Sequence, residues 1–197
     1  AASAISFPIT YHFVFVALLL FFVEKIKNSN IEKVVLLISC ISIFLFIGNF
    51  YELPSKEIVQ NIVLSIDSKY AFYFHYIILG CLGYFGFQLF TKISTVFNIK
   101  TTQSKWLPWL FVFAVVYTLS NEVMVHGLYF SDISATLLEA ETLDPEYLKY
   151  NLIETKINEI KTQIIKIGYP ILWGIFAFVF LIIGIKKQWK ILRIIAL

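Results

Sequence analysis

Three histidines, His12, His75 and His126, are the only imidazoles in this 197-residue sequence, and each lies in or beside a long apolar run, as does the carboxylate of Glu122. Imidazole and carboxylate side chains in an apolar setting can pass protons, bind a cation or polar ligand, or hold a divalent metal. Two amides keep company with them: Asn121 adjoins Glu122, and Asn49 ends another apolar run. The spacing does not specify a metal centre. There is no HExxH pair, and Cys40 and Cys81 fall in separate apolar runs without a CxxC partner, so both read as small packing groups. No metal and no cofactor is expected. The chain also lacks a GxSxG elbow, a phosphate-binding glycine loop and an Asp-rich motif for lipid pyrophosphates. No stretch interleaves basic and aromatic residues as a nucleic-acid surface needs.

The elements that must position these groups follow from hydropathy. Hydrophobic residues make up 59% of the chain and charged residues 15%. A water-soluble domain has about half and about a quarter. A span needs about 20 mostly apolar residues. Five segments meet this: 5–23, 34–51, 70–90, 106–128 and 167–185. The second is short and needs Tyr51 and its neighbours to complete a crossing. The runs are continuous, whereas a barrel strand alternates over about 10 residues. The expected fold is all-α, a polytopic transmembrane helix bundle over 1–197 with five spans and amphipathic helices on its outward side. The abrupt start at Ala1, and KKQWKILR leading into IIAL, read as part of a longer chain with a sixth span beginning at the end. The first segment lacks the basic flank of a signal peptide.

Charge sets the direction. The connections 24–33, 91–105 and 186–193 carry ten basic residues (Lys25, Lys27, Lys33, Lys92, Lys100, Lys105, Lys186, Lys187, Lys190 and Arg193) against two acids. The connections 52–69 and 131–166 hold six Lys against ten acids. Lys and Arg stay on the cytoplasmic side. The chain is therefore expected in the plasma (inner) membrane with its N-terminus outward and 186–193 cytoplasmic. All three histidines then fall in the outward half of a span. His75 stands six residues past Lys69, about 9 Å along a helix. Glu122 stands 16 residues past Trp106, about 24 Å up a core of about 30 Å. Ionisable groups at such depth face a bundle interior or a polar cavity. Glu122, His12, His75, His126, Asn121 and Asn49 are the candidate lining of an outward polar cavity, with Glu122 in reach of at least one of His12, His75, Asn49 or Tyr117. The plain alternative is interfacial: His and Tyr at headgroup level, and Glu122 reaching water.

The outward connections carry helical patterns. In 54–66, Ile58, Val59, Ile62, Val63 and Ile66 make one face and Lys56, Glu57, Gln60 and Asn61 the other, which predicts a short amphipathic helix on the membrane surface. In 144–166, Asp144 can cap, Pro145 suits the first helical position, and Glu146 suits a positive helix start. Leu148, Leu152, Ile153, Ile157, Ile160 and Ile164 then form a stripe that packs on the protein's own spans or headgroups, or docks a partner. This predicts a helix running into the fifth span, broken, if at all, between Gly168 and Pro170. Membrane lipids are the expected partners, with other membrane or envelope proteins through 144–166, and no nucleic acid. Gly80, Gly83 and Gly86 could let a second helix come close. Trp106, Trp109, Trp173 and Trp189 fit interfacial anchoring.

Three stretches occur together: SNEVMVHG (120–127), KIGYPILWGIFAFVFLIIGIKK (166–187) and KILRIIAL (190–197). In order and spacing they resemble the C-terminal part of the bacterial membrane proteins called the domain of unknown function 2339 family, especially Bacteroidetes forms. There a Ser/Asn-Glu-Leu-type motif closes one span, a Leu-Gly-x-x-x-Leu-Trp-Gly span follows, and a basic turn leads to a Leu-Arg-Ile-type start. Glu122, Gly168, Trp173, Gly174 and Arg193 stand at the matching positions. The resemblance covers 106–197 and implies a longer, many-spanned parent, though 131–166 is longer than the family pattern. It implies no activity.

Two functions stay open on the sequence. One is a non-enzymatic membrane protein, a transporter-like or envelope scaffold component. The other is a membrane-embedded enzyme acting on a lipid-linked substrate at the outer leaflet, with Glu122 and a histidine as acid and base.

Overall fold

The structure, a computed structural model, describes residues 2–26, 28–64, 66–96, 107–144 and 146–196. Lys27, Lys100, Lys105, Trp106 and Pro145 lie outside the described residues. Apolar runs too long for strands become helices: α1 Ala2–Ile26, α2 Ser29–Leu45, α3 Leu53–Leu64, α4 Tyr70–Val96, α5 Leu107–Tyr129, α6 Ser134–Glu141, α7 Glu146–Gln163, α8 Tyr169–Lys186 and α9 Lys190–Ile195. No strand occurs among the described residues. Five stretches are long and apolar enough to cross a membrane: Ala4–Val23, Ser29–Leu64, Tyr70–Ile93, Leu107–Tyr129 and Glu146–Lys186.

The second helix starts earlier than hydropathy suggested, because Asn28 caps it. The Asn28 side chain accepts from the backbone N–H groups of Asn30 and Ile31 at 3.0 and 3.3 Å, satisfying two of the orphan donors at a helix start. The helix widens into a π turn over Phe46–Phe50 and bends through Tyr51 and Glu52 into α3. A second π turn, Ile164–Gly168, joins α7 to α8. Each π turn lies just ahead of a proline. Proline lacks an N–H, and its ring crowds the carbonyl four residues back. That carbonyl belongs to Phe50 for Pro54 and to Lys166 for Pro170, each inside its π turn. Widening the ladder separates ring and carbonyl without breaking the helix. Residues 146–186 thus form one rod of 41 residues, about 61 Å long.

Two cores hold the bundle. In the first, α1, α2 and α4 meet around Phe13, which stacks on Phe85 and meets the edge of Phe46, both at 5.8 Å between centroids. In the second, at the end where α3 lies, Ile58, Phe72, Val125, Leu128, Ala140, Ile153 and Ile157 join α3 through α7. The apolar face of α3, expected to lie on the membrane surface, is turned inward here. Ile58, Val59, Ile62 and Val63 of α3 pack in this second core, and only Ile66 of that pattern is exposed. The α7 stripe does the same from Leu152 to Ile164, leaving Leu148 exposed. The close helix approach is not at the α4 glycines. A methyl group on Gly80 or Gly83 would meet nothing within 4 Å, and one on Gly86 only the Phe111 ring at 3.3 Å. It is at Gly127 and Gly168, where a Cβ would stand 2.6 Å from Ile164 Cδ1 and 2.8 Å from Val123 Cγ1.

At the opposite end, Lys92 on α4 pairs with Glu32 on α2 at 3.2 Å. The stretch expected to open a sixth span forms α9, turned back against α8. The turn is a left-handed cap: Gln188 takes φ 53°, and the Trp189 N–H donates to the Gly184 carbonyl at 2.9 Å, the six-to-one bond of a Schellman motif.

Candidate functional site

The site grows from α5. Glu122 and His126 lie one turn apart and share a face. The His126 Nδ1–H donates to the Glu122 backbone carbonyl at 2.8 Å, which fixes its other nitrogen as an acceptor. The Tyr76 hydroxyl donates to that Nε2 at 2.7 Å. His126 Nδ1 also stands 3.7 Å from Glu122 Oε2. From the other side, the His75 Nε2–H donates to Glu122 Oε2 at 3.1 Å. That bond leaves Nδ1 as the acceptor nitrogen of His75, buried and with no hydrogen-bond partner among the described residues. A buried acceptor of this kind is uncommon.

Burial falls off along the cluster. His75 is 3% exposed, the Glu122 side chain 14% and that of His126 36%, while Tyr76 is exposed. Four polar side chains therefore run from the surface to a carboxylate and a buried imidazole. Phe72 forms the wall beneath them, stacked on Tyr129 at 4.3 Å and in contact with His75, Tyr76 and His126.

The position of α4 depends on a residue the sequence did not single out. Glu57, placed on the polar side of α3, is 2% exposed. Its Oε2 accepts from the Phe72 N–H at 2.8 Å and its Oε1 from the Ser68 hydroxyl at 2.8 Å. A carboxylate there satisfies one orphan donor at the start of α4, the Phe72 N–H, and sits at the positive end of that helix. Asn61 holds the same loop through the Ser68 carbonyl. One turn later α4 presents His75 and Tyr76. Only the coincidence of a helical carboxylate with a helix start 13 residues on hints at this, and many solvated glutamates share it.

The six residues expected to line one cavity do not form one group. Glu122, His75 and His126 come together. His12 turns to α2, where its Nε2–H donates to the Ser42 hydroxyl at 2.9 Å. Asn121 is buried but points to the α2–α3 corner, its Nδ2 donating to the Tyr51 carbonyl at 2.9 Å. Asn49 is exposed. Depth along a helix placed them at one level; the angle around each axis, set by packing, separates them. Tyr117 faces Tyr51, ring centroids 5.4 Å apart. A cleft of about 220 Å³ lies beyond Phe72, between Glu57, Asn61, Lys69 and Tyr129, and Glu122 is not in its wall. Trp173 ties α8 to α5, its indole N–H donating to the Ser120 hydroxyl at 2.9 Å. Among the described residues no group of three or more His, Cys, Asp or Glu is arranged to hold a metal ion.

Outside the long helices, Asp132 accepts from the Ser134 hydroxyl at 2.7 Å and its N–H at 2.9 Å. These bonds hold its carboxyl below the usual aspartate range. Set against known families, curated proteins and solved structures, the chain matches none of them.

Proposed function

We propose that the chain is a polytopic integral membrane protein of the bacterial inner membrane, transporter-like rather than enzymatic, in which Glu122 exchanges a proton with the outward face through His126 and Tyr76. Support for the membrane reading is the set of five long apolar helices together with the charge balance, ten basic residues against two acids in one set of connections and six against ten in the other. Membership in the domain of unknown function 2339 family is proposed on the three motif stretches in 106–197 alone.

The observation that carries the proton reading is the graded cluster itself. A carboxylate shielded among helices, with an imidazole 3.7 Å away that is hydrogen-bonded to an exposed phenol, is the kind of arrangement that intramembrane proton paths use. His126 hands a proton on when its Nδ1–H leaves the Glu122 backbone carbonyl at 2.8 Å for the Glu122 carboxylate, whose Oε2 stands 3.7 Å away, while Tyr76 faces its other nitrogen. His75 holds the far side of the carboxylate and keeps it aimed.

A lipid-soluble carbodiimide tests this, because it modifies protonated carboxyl groups in apolar surroundings. With the full chain in lipid vesicles, mass spectrometry should locate the adduct at Glu122 and find none at that position in Glu122→Gln. Tyr76→Phe and His126→Gln should slow the modification several-fold. Absence of the adduct in the unaltered protein, or equal rates in all variants, would refute the relay.

A further inference from the structure

At the end opposite the Glu122 cluster, α9 folds back and leaves a cleft of about 360 Å³, within the usual span of ligand pockets, about 300–1,000 Å³. Its wall is mainly apolar: Phe90 from α4, Pro108 from α5, and Trp189, Ile191 and Leu192 from the turn into α9. Gln188 and Lys190 complete it among the described residues. Around this turn Lys186, Lys187, Lys190 and Arg193 are all exposed. None of the four is ion-paired with a described residue, and no acid falls within 186–193.

We infer that this cleft binds one anionic phospholipid of the inner leaflet, an acyl chain on the apolar wall and the phosphate against Lys190 and its basic neighbours. The inference rests on the membrane reading above. An apolar slot with Lys190 in its wall and three more cations on the same turn is complementary to a ligand with a fatty tail and an anionic head, and basic pockets beside spanning helices recognise such headgroups. The route of entry favours a lipid over a soluble anion or an acidic peptide. Ile182, Ile183 and Ile185 on the adjoining last turns of α8 are exposed, as is Phe90 within the wall. A chain from the bilayer reaches the cleft along that surface without leaving an apolar environment. A free phosphate has no use for the apolar wall.

Trp189 reports on the cleft directly. With Trp106→Phe, Trp109→Phe and Trp173→Phe in the full chain, its fluorescence is followed in neutral detergent as lipids brominated on the acyl chain are added. Brominated phosphatidylglycerol should quench at a lower mole fraction than brominated phosphatidylcholine. Lys190→Gln should raise the half-quenching fraction of the anionic lipid about fivefold, the effect of one basic residue at an anionic surface, and Lys190→Arg should restore it. Inorganic phosphate at millimolar level should not relieve the quenching. Equal quenching by the two lipids, with circular dichroism showing the helices intact, overturns the site and leaves the membrane reading standing. Complete relief by phosphate overturns the lipid in favour of a free anion. Failure of the chain to enter lipid vesicles, with no quenching by either lipid, overturns both readings.

Discussion

Glu122 meets two imidazoles from two helices: His126 stands one turn along α5, and His75 comes from α4, where it and Tyr76 point about 100° apart with α5 between them. His75 reaches the carboxylate while Tyr76 reaches His126 one turn above. The arrangement holds only while α4 starts where Glu57 pins it. Glu57→Gln keeps the shape and replaces one acceptor oxygen by a donor that faces Phe72 N–H or the Ser68 hydroxyl. A buried donor left without a partner costs about 1–3 kcal/mol. The expected outcome is a thermal midpoint lower by about 2–12 °C in detergent, with slower carbodiimide modification at Glu122 although Glu57 touches none of the cluster. An unchanged midpoint would show that Glu57 does not carry the start of α4. Of the site, the shared level of Glu122, His75 and His126 along their helices was legible, since rise per residue is fixed along any helix. The direction of His12 and Asn49 was not, because it depends on which helix lies alongside. Glu57 was hidden for a related reason: its burial comes from α4 returning over α3.

Helix ends and junctions show what proline and glycine do at the scale of elements. The expected weak point near Gly168–Pro170 lies one turn earlier as a π turn, since the strain of Pro170 falls on the carbonyl four residues back. Gly168 serves packing there. A methyl on it would press Val123 Cγ1 at 2.8 Å, and Val123 is β-branched and stiff. Overpacking costs about 1–3 kcal/mol, against about 1 kcal/mol gained when alanine replaces glycine in a helix. Gly168→Ala should therefore destabilise the chain, and Val123→Ala in the same molecule should recover most of the loss in a double-mutant cycle. Additive effects would show that the two residues do not touch. Gln188 gives the opposite case. Its left-handed φ costs a side-chain-bearing residue roughly 1 kcal/mol, so Gln188→Gly should raise the thermal midpoint by a few degrees, whereas Gln188→Ile should lower it.

At the scale of the whole molecule, the five long helices were legible in hydropathy because apolar runs of about 20 residues leave little else to form. Their joints were less so: α2 passes into α3 through a π turn, and α7 and α8 make one rod. The Lys92–Glu32 pair and the α9 turn lie at the same end as the basic connections, while α3, α6 and α7 gather at the acidic one. If this polarity is the membrane orientation, Glu141→Cys in an otherwise cysteine-free chain, with Cys40 and Cys81 replaced by Ala, should react in intact cells with an impermeant maleimide. Lys187→Cys should react only after permeabilisation. The reverse pattern would invert the topology, and equal reaction of both would remove it.

The Ile164–Gly168 turn also sets a phase between two halves of one rod. A π turn amounts to an α-helix carrying one residue too many. Removing Ile165 would let the ladder close as an ordinary helix, with the stretch before it still facing as it does now. Ile153 and Ile157 would keep the core they share with Val125. Forcing all the present residues into a regular helix would instead turn that stretch by about 100° relative to α8 and carry Ile153 and Ile157 out of the core. The π turn therefore acts as a slack link: it takes up one surplus residue so that one rod keeps both of its neighbourhoods in phase.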